Sequence, residues 1–144
     1  MTEKPSEAVV SAWVALARAG RLATARVEER LKCAQMPPLS WYDALWELEK
    51  AGEGGLRPFE LEKALLFQQY NLSRLADRLE TAGLIARCAC PQDRRGQVLK
   101  ITEQGRALRR QMWVVYAEAI EEAIGTRLSE EEAGRLASLL CKLQ

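Results

Sequence analysis

The stretch 72–102, LSRLADRLETAGLIARCACPQDRRGQVLKIT, changes its periodicity once, and that change limits what the chain can fold into. Up to Thr81 the apolar residues Leu72, Leu75, Ala76 and Leu79 recur at helical spacing, and Gly83 fits a C-terminal cap. Beyond it, two short apolar runs at about 84–90 and 97–102 read as strands, with PQDRRG at 91–96 as their turn. Pro91, Asp93 and Gly96 suit a turn for backbone reasons alone. Arg94 and Arg95 are not needed to close it, so they are expected to act outside the fold.

The rest of the chain reads as helix. Val9, Trp13, Leu16, Gly20, Ala23, Val27, Leu31 and Ala34 repeat at spacings of three and four, with Ser6 as N-cap and the MPP at 36–38 as terminator. A second helix is expected over about 40–51, with Ser40 as N-cap and Gly52 as the stop. Leu56-Arg57 suits a short strand, and Pro58 the first turn of a short third helix, PFELEKALL. The fourth helix is expected from near Gln68 to Gly83. A fifth, over about 103–126, carries Leu108, Met112, Val115, Ala119 and Ala123 on one stripe. The sixth opens on a capping box of Ser129 and Glu132 and presents Leu136, Leu139, Leu140 and Leu143.

A short helix, a tight connection, an amphipathic helix and a hairpin make a winged helix-turn-helix. The expected fold class is therefore mainly α with a small β hairpin, a winged helix-turn-helix flanked by long helices. With 144 residues the chain suits one domain with a core that needs no disulfide.

Composition removes several function classes. There is no histidine, which excludes His-dependent triads and the common His-rich zinc and iron sites. The cysteines Cys33, Cys88, Cys90 and Cys141 contain one C-x-C and no C-x-x-C pair. Neither a phosphate loop nor a nucleophile motif occurs, so no enzyme, cofactor or metal is expected. No run of about 18 apolar residues is present, and the first residues lack the pattern of a signal peptide, so a cytoplasmic location without a membrane partner is expected.

The net charge is only +1, yet residues 71–110 carry nine basic and four acidic side chains, while the segments before and after are net acidic. A local patch, rather than the total, steers a polyanion. A solvated face would have the same composition. In a winged helix, however, the hairpin tip reaches the minor groove beside the recognition helix, where arginine is favoured, and Asp93 could orient a neighbouring arginine through a carboxylate pair.

LSRLADRLETAGLIARCACPQDRRGQVLKITEQG resembles the signature region of the MarR family of bacterial transcription regulators. The shared pattern is R-L-x-x-R-L-E-x-x-G-L-I on a helix, D-R-R at a hairpin tip, then L-T-x-x-G leading into a long helix. Here the last motif is Ile101-Thr102-Glu103-Gln104-Gly105, with Ile in place of Leu. The resemblance implies a single MarR-type domain over 1–144, with dimerisation helices at 1–35 and 103–144 and the winged helix-turn-helix at 40–102. It implies a sequence-specific regulator of double-stranded DNA, a repressor released by a small anionic or phenolic ligand.

LFQQYNLSRLADRLE matches the family's recognition helix and its lead-in. DNA contacts are therefore expected from Gln68, Gln69, Tyr70, Asn71, Ser73, Arg74 and Arg78, and on the wing from Asp93, Arg94 and Arg95. Asn and Gln pair with adenine edges, Arg with guanine, and Ser reaches phosphate; Asp77 and Arg78 could instead pair with neighbours. FQQYN stands where many relatives have Ser or Thr followed by small residues, so the operator sequence is not implied.

Two long helices with single apolar stripes, at opposite ends of the chain, exceed what a small winged helix can cover. A homodimer would bury both and would call for a pseudo-palindromic operator with half-sites about one helical turn apart; the alternative is packing of both ends within a monomer. For an effector, Trp13, Trp41, Asp43 and Trp46 resemble the pocket region of urate- and phenolate-responsive members, although aromatics at this spacing also serve as core. A thiol switch is a further family option, with Cys33 near Arg30 and Lys32, and Cys88 and Cys90 beside Arg87. Oxidant-sensing relatives keep their cysteine near the start of the first helix, where this chain has none. The rival readings are a winged-helix protein-interaction module and a non-specific architectural DNA binder.

Overall fold

The computed structural model describes residues 3–67, 71–90 and 93–144. Among them run α1 (Glu7–Cys33), α2 (Leu39–Ala51), α3 (Pro58–Ala64), α4 (Leu72–Thr81), β1 (Ile85–Cys90), β2 (Asp93–Ile101), α5 (Glu103–Ile120) and α6 (Glu130–Cys141). A 3₁₀ turn at Gly52–Gly54 follows α2, and a π turn at Glu121–Gly125 follows α5. This is the mainly α winged helix-turn-helix expected from the sequence.

Most helix ends follow their local chemistry. Ser6 Oγ accepts the Val9 N–H at 3.3 Å, and Gly52 closes α2 at φ 71°. Ser129 and Glu132 form the expected reciprocal box at the start of α6, at 3.0 and 3.1 Å. Ser40 does not cap α2. That helix starts one residue earlier, with Pro38 in the cap position and its carbonyl accepting the Trp41 N–H at 3.0 Å. The third helix stops at Ala64, two residues before the expected end, because Leu65 turns to ψ 138°. The α-helical part of α5 ends at Ile120, where the π turn takes over.

The chain divides into two compact units, Leu31–Val115 and the pair Met1–Arg30 with Tyr116–Gln144. The first holds the winged helix. Leu45 and Leu48 of α2, Leu61 of α3, Leu75 and Leu79 of α4, and Ile85, Leu99 and Ile101 of the hairpin form one buried cluster. Each such side chain contributes about 1.5–3 kcal/mol through removal from water. The strands pair antiparallel from Ile85 opposite Ile101 to Ala89 opposite Gln97. Leu56 adds a bridge to Leu99, with N···O distances of 3.0 and 2.7 Å, a single isolated bridge where a short strand is expected at 56–57.

Gly83 fixes the angle between α4 and the hairpin. At φ 77° it donates to the Glu80 carbonyl at 2.9 Å while Leu84 donates to Leu79 at 2.9 Å, a Schellman closure whose left-handed residue favours glycine. Gly105 is required for a different reason. A Cβ there would collide with the Leu84 carbonyl and Ile101, so α5 can start against the base of the hairpin only without a side chain.

In the second unit, Val27 and Ala119 are buried, and Arg30 bridges Glu118 at 3.0 Å and Glu122. Much of its apolar surface is open. Val9, Trp13 and Leu22 on α1 and Leu136, Leu139 and Leu143 at the C-terminal end are 41–70% exposed. No described helix is long and apolar enough to cross a membrane.

Candidate functional site

The exposed face of α4 and the hairpin that follows it carry most of the residues singled out in the sequence. The fourth helix begins at Leu72, later than the expected start near Gln68, and Asn71 is its cap: Asn71 Oδ1 accepts the Arg74 N–H at 3.1 Å. The cap engages one lone pair of that oxygen, and the second lone pair and the amide N–H₂ are left for an outside partner. Ser73, Arg74 and Arg78 are exposed, opposite buried Leu75, Ala76 and Leu79. Gln68, Gln69 and Tyr70 lie outside the described residues.

Not all of the local positive charge is available to a partner. Arg87 on β1 is held by Asp77 and Glu80 of α4, each at 2.7 Å, and the Asp77 hydrogen bond is the largest influence raising its already high pKa. Arg106 pairs with Glu103 at 2.7 Å and Arg109 with Glu49 at 2.9 Å. Among the described residues, Arg74, Arg78, Lys100 and Arg110 make no ion pair. Asp77, which the sequence allows either to pair with a neighbour or to face outward, pairs with Arg87.

The hairpin corrects one expectation about the backbone. Asp93, Arg94 and Arg95 are not in the turn, because β2 starts at Asp93 and pairs it with Cys90. The register then shifts between Cys90 and Ala89, so that Arg94, Arg95 and Gly96 face no partner across the ladder. A bulge of this kind bends the strand and aims its residues away from the regular pleat. The side chains of 93–95 lie outside the described residues.

Of the residues expected to form a ligand pocket, Trp41, Asp43 and Trp46 stand on α2 and Trp13 on α1. Trp41 is half-buried against the core of the winged helix. Asp43 is buried, and its two carboxylate oxygens accept the N–H groups of Leu66, at 3.0 Å, and Phe67, at 3.2 Å. Burial pushes its pKa up from the ordinary 3.8, outweighing those two hydrogen bonds. Trp46 is the outer residue, with the Arg109 guanidinium 4.9 Å and the Lys50 ammonium 5.6 Å from its ring centroid. Trp13 stands on α1, 70% exposed, in the other compact unit.

Around Trp46 lies a group that the sequence analysis does not bring together. The Arg109 guanidinium acts to lower the pKa of the Tyr42 hydroxyl, and the Tyr42 ring stacks on Trp113 with centroids 6.0 Å apart. Burial raises the Tyr42 hydroxyl pKa more than Arg109 lowers it. Arg109 Nε is buried and close to Glu49, but its N–H is not aligned on the carboxylate, so the contact is an ion pair by proximity rather than a hydrogen bond. Positions 42, 46 and 49 share one stripe of α2, and 109 and 113 one stripe of α5; that the stripes meet is a tertiary fact. Cys33 and Cys141 are exposed and Cys88 and Cys90 half-buried, with Arg57 Nη2 3.4 Å from Cys90 Sγ. Among the described residues no group of side chains suits a metal ion.

Comparison with known proteins gives consistent neighbours. The model of the MarR family matches residues 34–96. The multiple antibiotic resistance protein MarR of Salmonella typhimurium is 32% identical over 90 residues, which span 62% of this chain and 62% of that protein. Among solved structures, a MarR family transcriptional regulator from Streptomyces coelicolor in complex with DNA superposes with a TM-score of 0.85 at 25% identity, covering 99% of this chain and 89% of that one. BpsR of Bordetella bronchiseptica, whose DNA binding is regulated by 6-hydroxynicotinic acid, has the same fold, with a TM-score of 0.79 at 23% identity over 99% and 97% of the two chains.

Proposed function

We propose that the chain is a member of the MarR family and, on that premise, a homodimeric, sequence-specific regulator of double-stranded DNA that acts as a repressor. The observation that carries this reading is the outer face of α4. Arg74 and Arg78 stand exposed, with no ion pair among the described residues, on the helix that precedes the hairpin, while its inner face is buried. Unpaired guanidinium groups on a helix of this kind reach phosphates and guanine edges in a major groove. We assign further DNA contacts to Gln68, Gln69, Tyr70, Asn71 and Ser73.

Arg94 and Arg95, on the bulged segment of β2, are assigned to the flanking minor groove, with Asp93 beside them. The dimer would use the exposed apolar residues of α1 and α6, and two copies of α4 would then read the halves of a pseudo-palindromic operator. A small anionic aromatic ligand would be received at Trp46, where Arg109 supplies the counter-charge. The regulation of BpsR by 6-hydroxynicotinic acid supports a ligand of this kind.

The deciding experiment selects duplexes from a randomised library with the purified protein. Fluorescence anisotropy then compares a selected duplex with its scrambled counterpart near physiological salt. A preference of about a thousandfold or more establishes sequence reading. Equal, salt-sensitive binding to both would mean an architectural binder, and no binding even at low salt would mean a protein-interaction module.

A further inference from the structure

We propose that Asp43 is a positioning residue for DNA reading, clamping the lead-in to α4 onto α2; the role rests on the DNA-binding function proposed above. The clamp joins residues far apart in sequence. Asp43 Oδ1 accepts from Leu66 N and Oδ2 from Phe67 N, at 3.0 and 3.2 Å, so α2 holds the chain just beyond the end of α3. Asp43 is only 7% exposed, the one buried charged side chain among the described residues.

Burying a carboxylate is costly, and the arrangement persists only where the group satisfies something no neutral side chain can. Two adjacent backbone N–H groups leaving a helix need two acceptors in one place, and a carboxylate supplies both. Asparagine supplies one acceptor and turns its N–H₂ toward the other donor.

The far half of α4 is tied separately. Arg87 grips Asp77 and Glu80, and the Gly83 closure sets the angle to the hairpin. What Asp43 governs is therefore the near end, where Ser73 and Arg74 project. Base-edge hydrogen bonds are short and directional, so a shift of that end costs sequence discrimination. Contacts to phosphate depend on charge and tolerate the shift.

The test uses Asp43→Asn in the full-length protein. Amide hydrogen exchange at Leu66 and Phe67 is expected to quicken by about tenfold or more, with Leu79 in the core of α4 unchanged. Affinity for a duplex selected by the wild-type protein is expected to fall by about tenfold or more, while affinity and salt slope on a scrambled duplex hold. Equal loss on both duplexes, or no loss on either, overturns the positioning role. Should Asp43→Asn fail to fold, Asp43→Glu is the second variant, since it keeps both acceptors on a longer stem. It is expected to lose discrimination as the two amides lose protection; discrimination kept with both amides exposed overturns the role. A wild-type protein that selects no duplex overturns the DNA-reading function and this role with it. Selection by the wild type with an unchanged Asp43→Asn overturns this role alone.

Discussion

Thr102 Oγ1 donates to the Gly83 carbonyl at 2.7 Å and accepts the Gly105 N–H at 3.1 Å. One hydroxyl thus joins the end of α4 to the start of α5 across the base of the hairpin, and the Thr102 N–H adds a bond to the Leu84 carbonyl at 3.0 Å. Replacing it with a side chain of the same shape, Thr102→Val, leaves a half-buried carbonyl and a helix-initiating N–H without that partner. The expected cost is about 1–3 kcal/mol of folding stability, read from the midpoint of urea unfolding. A midpoint within error of wild type would show that water replaces the hydroxyl.

Arg74→Ala and Arg78→Ala separate the two kinds of contact on α4. An arginine that touches phosphate weakens binding on every duplex and lowers the slope of log affinity against log salt by about 1. One that reads a guanine weakens binding only to the selected duplex, by about 1–3 kcal/mol. Titrations at several salt concentrations decide between them for each residue.

Arg95→Ala, or Arg94→Ala, is expected to weaken binding to the selected duplex by more than about tenfold, as loss of an arginine inserted in a narrow minor groove should. Circular dichroism should show unchanged helical content. Wild-type affinity in both variants would remove the wing from the account.

The exposed apolar residues of α6 give a prediction about assembly. Leu139 is 59% exposed, so a charge there costs the isolated chain little. Leu139→Glu should shift sedimentation toward monomer and weaken operator binding, with secondary structure intact. A dimer of undiminished stability would place the interface elsewhere.

The Asp43 carboxyl makes stability depend on pH in a direction unlike that of most surface acids. Burial raises its folded pKa above 3.8, with Glu47 raising it further and Lys50 lowering it. The folded chain therefore holds that proton more tightly than the unfolded chain, and between 3.8 and the raised value this group's contribution falls as pH rises. Asp43→Asn removes the dependence. The difference in urea midpoint between wild type and Asp43→Asn should move in the variant's favour as pH rises through that window, and a pH-independent difference would show that burial does not govern this carboxyl.

The hairpin, the order of helices, the Gly83 closure and the capping box at Ser129 were legible because each is written in a few adjacent residues. The same holds for the apolar line Leu75, Ala76 and Leu79. The less legible features depend on distant partners. Asp43 lies beside Trp41, Tyr42 and Trp46 in sequence and so resembles a pocket carboxylate, whereas its partners are N–H groups at 66 and 67. Asn71 looks like an interior helical residue while the helix is drawn from Gln68, and is its cap once the helix starts at Leu72. Arg109 was hidden for a related reason: its neighbours Tyr42, Trp46 and Glu49 belong to α2, and α5 alone gives no sign of them.

The irregularity in β2 separates two demands on the same hairpin. From Ile85 opposite Ile101 up to Ala89 opposite Gln97, the pairing is fixed by core contacts and by Leu56. Beyond that point Arg94, Arg95 and Gly96 have no opposing residue to stay in step with. Residues can be added, removed or exchanged there without moving any core side chain to the wrong face, which a one-residue slip in a regular ladder would do. The arm that extends past the fold can thus be lengthened or retuned while the framework beneath it stays as it is.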